Sequence, residues 1–244
     1  MKFYNKKKIA EWDSKSVSEF WDFVSKQEDK YFTNQVGNVV IKFSENFFDK
    51  NSTILDYGSG PGFLTKQLLD KNFKVAALDF SHESIKILNN KLNYYENFIG
   101  AYDISQVDLL REKFDLIFVV EVVEHLNDDF LDELLNNVYN LLSENGKVII
   151  TTPNNERLED SYIYCPFSDV IFHRWQHVRS WNKDSLNIKL NEKGFNNNIL
   201  IETHFFNKPK WSGLNRKTIA NFLEYLKMVI EKKKPHLVAI AQKN

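Results

Sequence analysis

Apolar positions in this chain change their spacing near residue 53. Before it, Val17, Phe20, Trp21 and Val24 recur at i, i+3, i+4 and i+7, and Val36, Val39, Val40, Phe43 and Phe47 follow a similar rhythm. That rhythm predicts two N-terminal helices, each with one apolar face. After residue 53, short apolar runs alternate with helical stretches. The runs at 53–57, 74–79, 97–101, 114–120, 147–152, about 198–206 and 236–242 read as strands. The clearest helix is 128–142, where Leu131, Leu134, Leu135, Val138, Leu141 and Leu142 make one stripe and Gly146 is expected to close the end. Another spans 183–192, capped by Asn182 and stopped near Gly194. Ile219, Phe222, Leu223, Leu226, Val229 and Ile230 predict a further amphipathic helix between the last two strands. Strands alternating with helices predict an α/β fold with a mostly parallel sheet and helices on both faces.

The first of these strands opens onto unusual chemistry. Ile54-Leu-Asp56-Tyr-Gly58-Ser59-Gly60-Pro-Gly62 is an apolar run followed by three glycines at alternating positions. Such a loop turns tightly and lets its backbone approach a ligand. A helix starting at Phe63 would turn its free N–H groups toward the same spot, so a nucleotide-like cofactor suits the turn. The nicotinamide fingerprint needs a glycine three residues after the second one, and Phe63 stands there. Asp79 ends the next strand, at a distance where an acid meets a ribose in dinucleotide folds. Ser81 follows as an N-cap and Phe80 as a neighbour for the adenine or ribose.

The D-x-G-x-G-x-G arrangement of Asp56, Gly58, Gly60 and Gly62 resembles the first motif of class I S-adenosylmethionine-dependent methyltransferases. The resemblance covers residues 53 to about 206 and implies a Rossmann-like, seven-stranded, mostly parallel sheet. It implies that Ser59, Val120 and Glu121 join the glycines and Asp79 around S-adenosyl-L-methionine. It also implies that Asp103 meets the adenine amino group, with Tyr102 and Ile104 against the ring. His236 to Gln242 would be the antiparallel edge of the sheet. Residues 207–235 depart from the family, which has a short hairpin there. The expected organisation is one domain, with helical decoration over 1–50, a cofactor-binding core over 51–206, the insertion at 207–235 and a last strand over 236–244.

After the fourth strand comes Glu121-Val-Val-Glu124-His125. On a helical turn these three side chains would share one face, at the carboxyl edge where open α/β sheets bind ligands. Two uses stay open: Glu121 touching the cofactor with His125 as general base, or the trio holding a cation. The string resembles that of ubiquinone-pathway O-methyltransferases and small-RNA 2′-O-methyltransferases. The resemblance implies a divalent metal, Mg or Mn, on Glu121, Glu124, His125 and a later histidine. His173 and His177 both lie in that later region, and His177 has the better spacing. Catalytic candidates are therefore Glu121, His125 and His177. Tyr31, Phe32, Tyr162, Tyr164, Phe167, Phe172, Trp175 and Trp181 are expected to roof the acceptor pocket.

Charge and cysteine content narrow the choice of partner. The 32 Lys and Arg against 33 Asp and Glu give a net charge of −1, which disfavours binding a long nucleic acid. Cys165 is the only cysteine, excluding an internal disulfide and fitting a reducing compartment. No signal-peptide pattern follows Lys6 to Lys8, and no run reaches bilayer-spanning length, so a cytoplasmic protein is expected. The expected activity is O-methylation of a small polar acceptor. A nucleotide-linked sugar or glycan precursor is suggested by the basic residues of the insertion, including Lys208, Lys210, Lys233 and Lys234. RNA 2′-O-methylation and a non-catalytic cofactor-binding subunit are the alternatives.

Overall fold

The computed structural model describes residues 7–110, 112–206, 216–232 and 234–243. Lys208, Lys210 and Lys233 of the insertion lie outside them. In chain order the elements are β1 (Lys8–Ile9), α1 (Ser14–Val24), α2 (Phe32–Ser44), β2 (Thr53–Tyr57), α3 (Phe63–Leu69) and β3 (Lys74–Asp79). There follow α4 (His82–Leu92), β4 (Phe98–Asp103), β5 (Phe114–Val120), α5 (Asp128–Leu141) and β6 (Leu142–Pro153). The last are β7 (Tyr162–Cys165), β8 (Val170–His173), α6 (Lys183–Glu192), β9 (Phe195–Thr203), α7 (Arg216–Glu231) and β10 (His236–Lys243).

Seven strands form one sheet in the order β4-β3-β2-β5-β6-β10-β9, the mostly parallel α/β architecture that the apolar pattern predicts. Along β2 and β5, successive side chains turn to opposite faces of the sheet, and both faces are buried. Leu55, Tyr57, Ile117 and Val119 join the layer under α5 and α6, with Leu135, Val138, Leu186 and Leu190. Ile54, Leu116, Phe118 and Val120 join the layer under α2, α3 and α4, with Val40, Ile41, Leu64 and Leu88. Mostly apolar runs are what a strand covered on both sides requires. Side-chain caps start the helices: Asp13 with Ser16 on α1, Ser81 on α4, Asn127 on α5 and Asn182 with Ser185 on α6.

Several boundaries differ from expectation. β10 is antiparallel to both neighbours, yet it is an interior strand between β6 and β9; β9 takes the edge. Gly146 does not cap α5. The helix ends at Leu141 and passes through Leu142 directly into β6, where a Cβ on Gly146 would lie 2.7 Å from the Phe114 carbonyl oxygen. That glycine is needed for close strand approach. β4 continues through Asp103, because Ala101, Tyr102 and Asp103 keep pairing with β3. β9 begins three residues earlier than expected, at Phe195. Residues 162–173 form a hairpin, β7 with β8, and β1 adds to β8 as a third strand. The apolar face of α7 stays exposed at Ile219, Phe222, Leu223, Leu226, Val229 and Ile230. No helix among the described residues is long and apolar enough to cross a membrane.

Candidate active site

β2 carries Tyr57 to the carboxyl edge of the sheet, and the chain turns there through Gly58–Gly62. All three glycines of this turn are sterically required; Gly58 has φ +76°, and a Cβ there would lie 2.5 Å from Val122. Gly60 has φ +52°, and a Cβ there would lie 2.8 Å from the Tyr31 ring; Gly62 has φ +86°, and its Cβ would lie 2.1 Å from Leu88 Cδ2. The Gly58 amide donates to the Leu78 carbonyl at 2.7 Å, which folds the turn back over the end of β3.

Asp79, at that end, is buried, and both its oxygens accept backbone amides: Oδ2 from Gly60 at 2.7 Å and Oδ1 from Ser81 at 2.9 Å. Burial pushes its carboxyl up to about 6, although the amides of Ser81, Gly60 and Phe80 pull the other way. Asp56 lies behind the turn, 2 % exposed, with Oδ2 accepting the Thr65 hydroxyl at 2.6 Å. Burial lifts it to about 7. Ser81 caps α4, as expected, and donates to Asp22 of α1 at 2.6 Å. Ser59 Oγ is buried with no hydrogen-bond partner.

Beyond β5 the backbone turns sharply at Glu121, which has φ +54°. A non-glycine residue in that region costs of order 1–3 kcal/mol and persists only where its surroundings fix it. Here the Glu121 amide donates to the Thr151 carbonyl at 3.0 Å, and its carboxylate accepts the Thr151 hydroxyl at 2.8 Å. Burial raises Glu121 to about 7. Glu124 is 1 % exposed; Oε2 accepts the Thr152 hydroxyl at 3.0 Å, whereas Oε1 has no hydrogen-bond partner. Burial raises its carboxyl well above the usual range, and the nearby Glu121 charge adds to this. His125 is held well below the usual imidazole range by burial first and by His177 next. Its ring meets Trp21 edge-on at 4.8 Å and His177 at 4.8 Å, and Nδ1 has no partner.

The segment after the hairpin is stitched to this turn. Gln176, completely buried, donates to the His125 carbonyl at 2.9 Å and accepts the Trp21 indole N–H at 3.0 Å. The Val178 amide donates to the Glu124 carbonyl at 2.9 Å, and Arg179 Nε to the Leu126 carbonyl at 2.8 Å. One donor atom each from Glu124, His125 and His177 consequently lie within 4.8 Å of one another. Three of the four expected metal ligands converge; Glu121 is not in this group, and one of its carboxylate oxygens accepts the Thr151 hydroxyl. A second convergence joins His177 to His173 and Glu156. Glu156, just past β6, was not anticipated from sequence. Burial would raise it, but its close contacts with the His173 and His177 imidazoles outweigh that and hold it at about 2.

A cavity of about 610 Å³ connects the two halves. Gly58, Ser59, Gly60, Asp79, Phe80, Ile104, Val120 and Glu121 line it from the turn side, and Glu124, His125 and His177 from the other. Asp56, Gly62, Ser81, Tyr102 and Asp103 are not among its walls. Gly62 and Asp56 shape the turn from behind. Tyr102 packs against the apolar layer, and Asp103 caps the next turn by accepting the Ser105 amide at 2.9 Å. Of the expected aromatic roof, Tyr31, Phe32 and Trp175 reach the cavity, joined by Trp21 and Phe130. Phe167 instead sits fully exposed at the hairpin tip.

A glycine turn, a buried acid on the adjacent strand and a cavity at the carboxyl edge define an enzyme that binds a nucleoside-type cofactor on a Rossmann-like sheet. Residues 29–199 match the family model described as a methyltransferase domain. A ubiquinone biosynthesis O-methyltransferase of Pelagibacter ubique is 27% identical over 197 residues, covering 75% of this chain and 79% of that protein. Among solved structures, a SAM-dependent methyltransferase from Archaeoglobus fulgidus has a TM-score of 0.58 at 17% identity, covering 92% of this chain and 100% of that one. A glycopeptide N-methyltransferase complexed with S-adenosylmethionine has a TM-score of 0.60 at 14% identity, covering 89% and 91%. The chain belongs to the methyltransferase-domain family and is a S-adenosylmethionine-dependent methyltransferase.

Proposed function

We propose that this enzyme transfers the methyl of S-adenosylmethionine to a hydroxyl on a small aromatic ring. The observation that carries the reading is the single cavity running from the glycine turn and Asp79 to Glu124, His125 and His177. The cofactor half fits its ligand by chemistry. A Cβ at Gly60 would strike Tyr31, Ser59 Oγ is a buried polar atom with no partner, and the Asp79 oxygens keep lone pairs free beside their amide donors. Asp79 would accept ribose hydroxyls, while Phe80 and Ile104 flank the base. The chemistry supplied when the cofactor is bound is an electrophilic methyl on a sulfonium.

Trp21, Tyr31, Phe32, Phe130 and Trp175 line the cavity, and Trp21 stands against His125. Lys30 is the one lysine or arginine among its described walls, and no described residue of α7 lines it. A nucleotide-linked sugar with its diphosphate therefore finds little to pair with, whereas an uncharged ring is well matched. The likeness to a ubiquinone biosynthesis O-methyltransferase supports the same acceptor class. A nitrogen acceptor already carries a lone pair and has less use for a buried polar cluster; a hydroxyl must lose its proton.

Glu124, His125 and His177 are the residues that would hold a divalent cation. Glu124 Oε1 and His125 Nδ1 are buried with no hydrogen-bond partner, which fits a missing ligand. Two imidazoles and one carboxylate suit Mn²⁺ and similar borderline ions better than Mg²⁺. When bound, such a cation supplies Lewis acidity that favours the deprotonated oxygen. Gln176 ties the His125 backbone to Trp21, whose ring lines the cavity. The test is an assay of purified protein with labelled S-adenosylmethionine against phenols, amines, nucleotide sugars and short RNAs, with and without chelator. Methyl ether formed on a phenol, lost with chelator and restored by Mn²⁺, is the expected result. Product on amines or RNA alone would refute the reading.

A further inference from the structure

His177 takes part in two overlapping clusters, and hydrogen bonding decides between them. The His173 ring is buried and stacks on His177 at 4.3 Å with 21° between planes. Its Nδ1 accepts two backbone amides, from Trp175 at 3.3 Å and from His177 at 3.1 Å. A neutral imidazole has one donor and one acceptor nitrogen, so an accepting Nδ1 puts the proton of His173 on Nε2. That N–H lies 3.4 Å from Glu156 Oε1. A protonated Nε2 cannot ligate a metal. Glu156, His173 and His177 are therefore not a metal site of their own, despite suitable spacing.

The other oxygen of Glu156 faces His177 Nδ1 at 2.5 Å. A glutamate carboxylate in its ordinary form only accepts hydrogen bonds, so His177 is the donor in this contact. In the neutral imidazole that proton sits on Nδ1, and Nε2 holds the only ring lone pair left to meet Glu124 and His125. A carboxylate behind a ligating histidine fixes tautomer and ring orientation, and its loss typically costs about 10–100-fold in metal affinity.

We propose that Glu156 and His173 are positioning residues that lock His177 in the Nδ1–H tautomer and so present Nε2 as the third donor of the Glu124–His125 cation site. The proposal rests on the cation reading given above, and the experiment separates the two. Metal-free full-length protein is titrated with Mn²⁺, and free ion is followed by electron paramagnetic resonance. S-adenosylhomocysteine affinity is measured alongside. Glu156→Gln is expected to weaken Mn²⁺ binding about 10–100-fold while leaving S-adenosylhomocysteine affinity unchanged, and Glu124→Gln to abolish Mn²⁺ binding. If wild-type protein binds no Mn²⁺, the cation reading falls and the proposal with it. If wild type binds and Glu156→Gln binds equally well, the proposal alone is overturned. Nitrogen-15 spectra of metal-free wild type give a second readout that needs no variant. They should show His177 protonated at Nδ1; protonation at Nε2 would overturn the tautomer lock.

Discussion

Replacing Asp79 by Asn keeps the size of the side chain and removes its charge. The native carboxylate accepts the Gly60 and Ser81 amides, one on each oxygen. Asn retains one acceptor and turns an NH₂ toward the other amide, leaving a buried donor unsatisfied at a cost of about 1–3 kcal/mol. Against a typical total stability of about 5–15 kcal/mol, the variant should remain folded. For the cofactor, the loss is one hydrogen bond to a charged acceptor, about 1.5–3 kcal/mol. That corresponds to about 10- to 150-fold weaker binding. The wild-type carboxyl is pushed up to about 6, so wild-type affinity should also decline as pH falls below that value. Asp79→Asn should lack this decline. Isothermal calorimetry with S-adenosylhomocysteine between pH 5 and 8, paired with urea melts, measures both effects. A folded variant with wild-type affinity would refute the assignment of Asp79 to the ribose.

Asp56 gives a pH prediction of stability. Its folded value of about 7 lies above the usual aspartate value of 3.8, so the folded state holds the proton more tightly. Stability from this group is greatest below about pH 4 and is lost as pH rises toward 7. At about 1.4 kcal/mol per unit, the loss is on the order of 4 kcal/mol. Asp56→Asn keeps an acceptor for Thr65, so urea melts should show it gaining on wild type between pH 5 and 8; a constant difference would mean that Asp56 is ionised throughout. Gly62→Ala combines a left-handed backbone with a Cβ 2.1 Å from the buried Leu88, and should cost about 2–4 kcal/mol in the same melts. A cost below 1 kcal/mol would show that the turn relaxes freely. Trp21→Ala removes the indole donor to Gln176 and the ring beside His125. It should raise KM for the acceptor several-fold with little change in cofactor affinity; the reverse pattern would place α1 over the cofactor.

The sheet was legible because its inner strands are covered on both faces, so β2, β3 and β5 read as short, mostly apolar runs bounded by turn residues. The cofactor turn was legible because three glycines with positive φ cannot easily be replaced. Elements that depend on context were not. β7 and β8 lie in a stretch dominated by aromatic residues, where a pocket lining and a hairpin look alike; the β-rich runs either side of Ser168-Asp169 were the available signal, and Asp169 indeed has φ +55°. Gly146 follows a helix in sequence, so it resembled a cap, yet its role is set by the Phe114 carbonyl from another strand. At the reacting end, the spacing of Glu121, Glu124 and His125 suggested a helical turn with three aligned side chains. The left-handed backbone at Glu121 swings that carboxylate onto Thr151 instead. Glu156 carried only a weak signal, an acid three residues beyond a strand end. What makes it functional is two imidazoles arriving from the far side of a hairpin.

The central claim is that the turn around Gly60 and the acid at the end of β3 form a nucleoside site open to the Glu124–His125–His177 cluster. Titrating wild-type protein with S-adenosylhomocysteine in a calorimeter at pH 7.5 tests it most directly. The account predicts saturable heat at one site per chain, with the thermal midpoint rising as ligand is added. Absence of both heat and thermal stabilisation would contradict it.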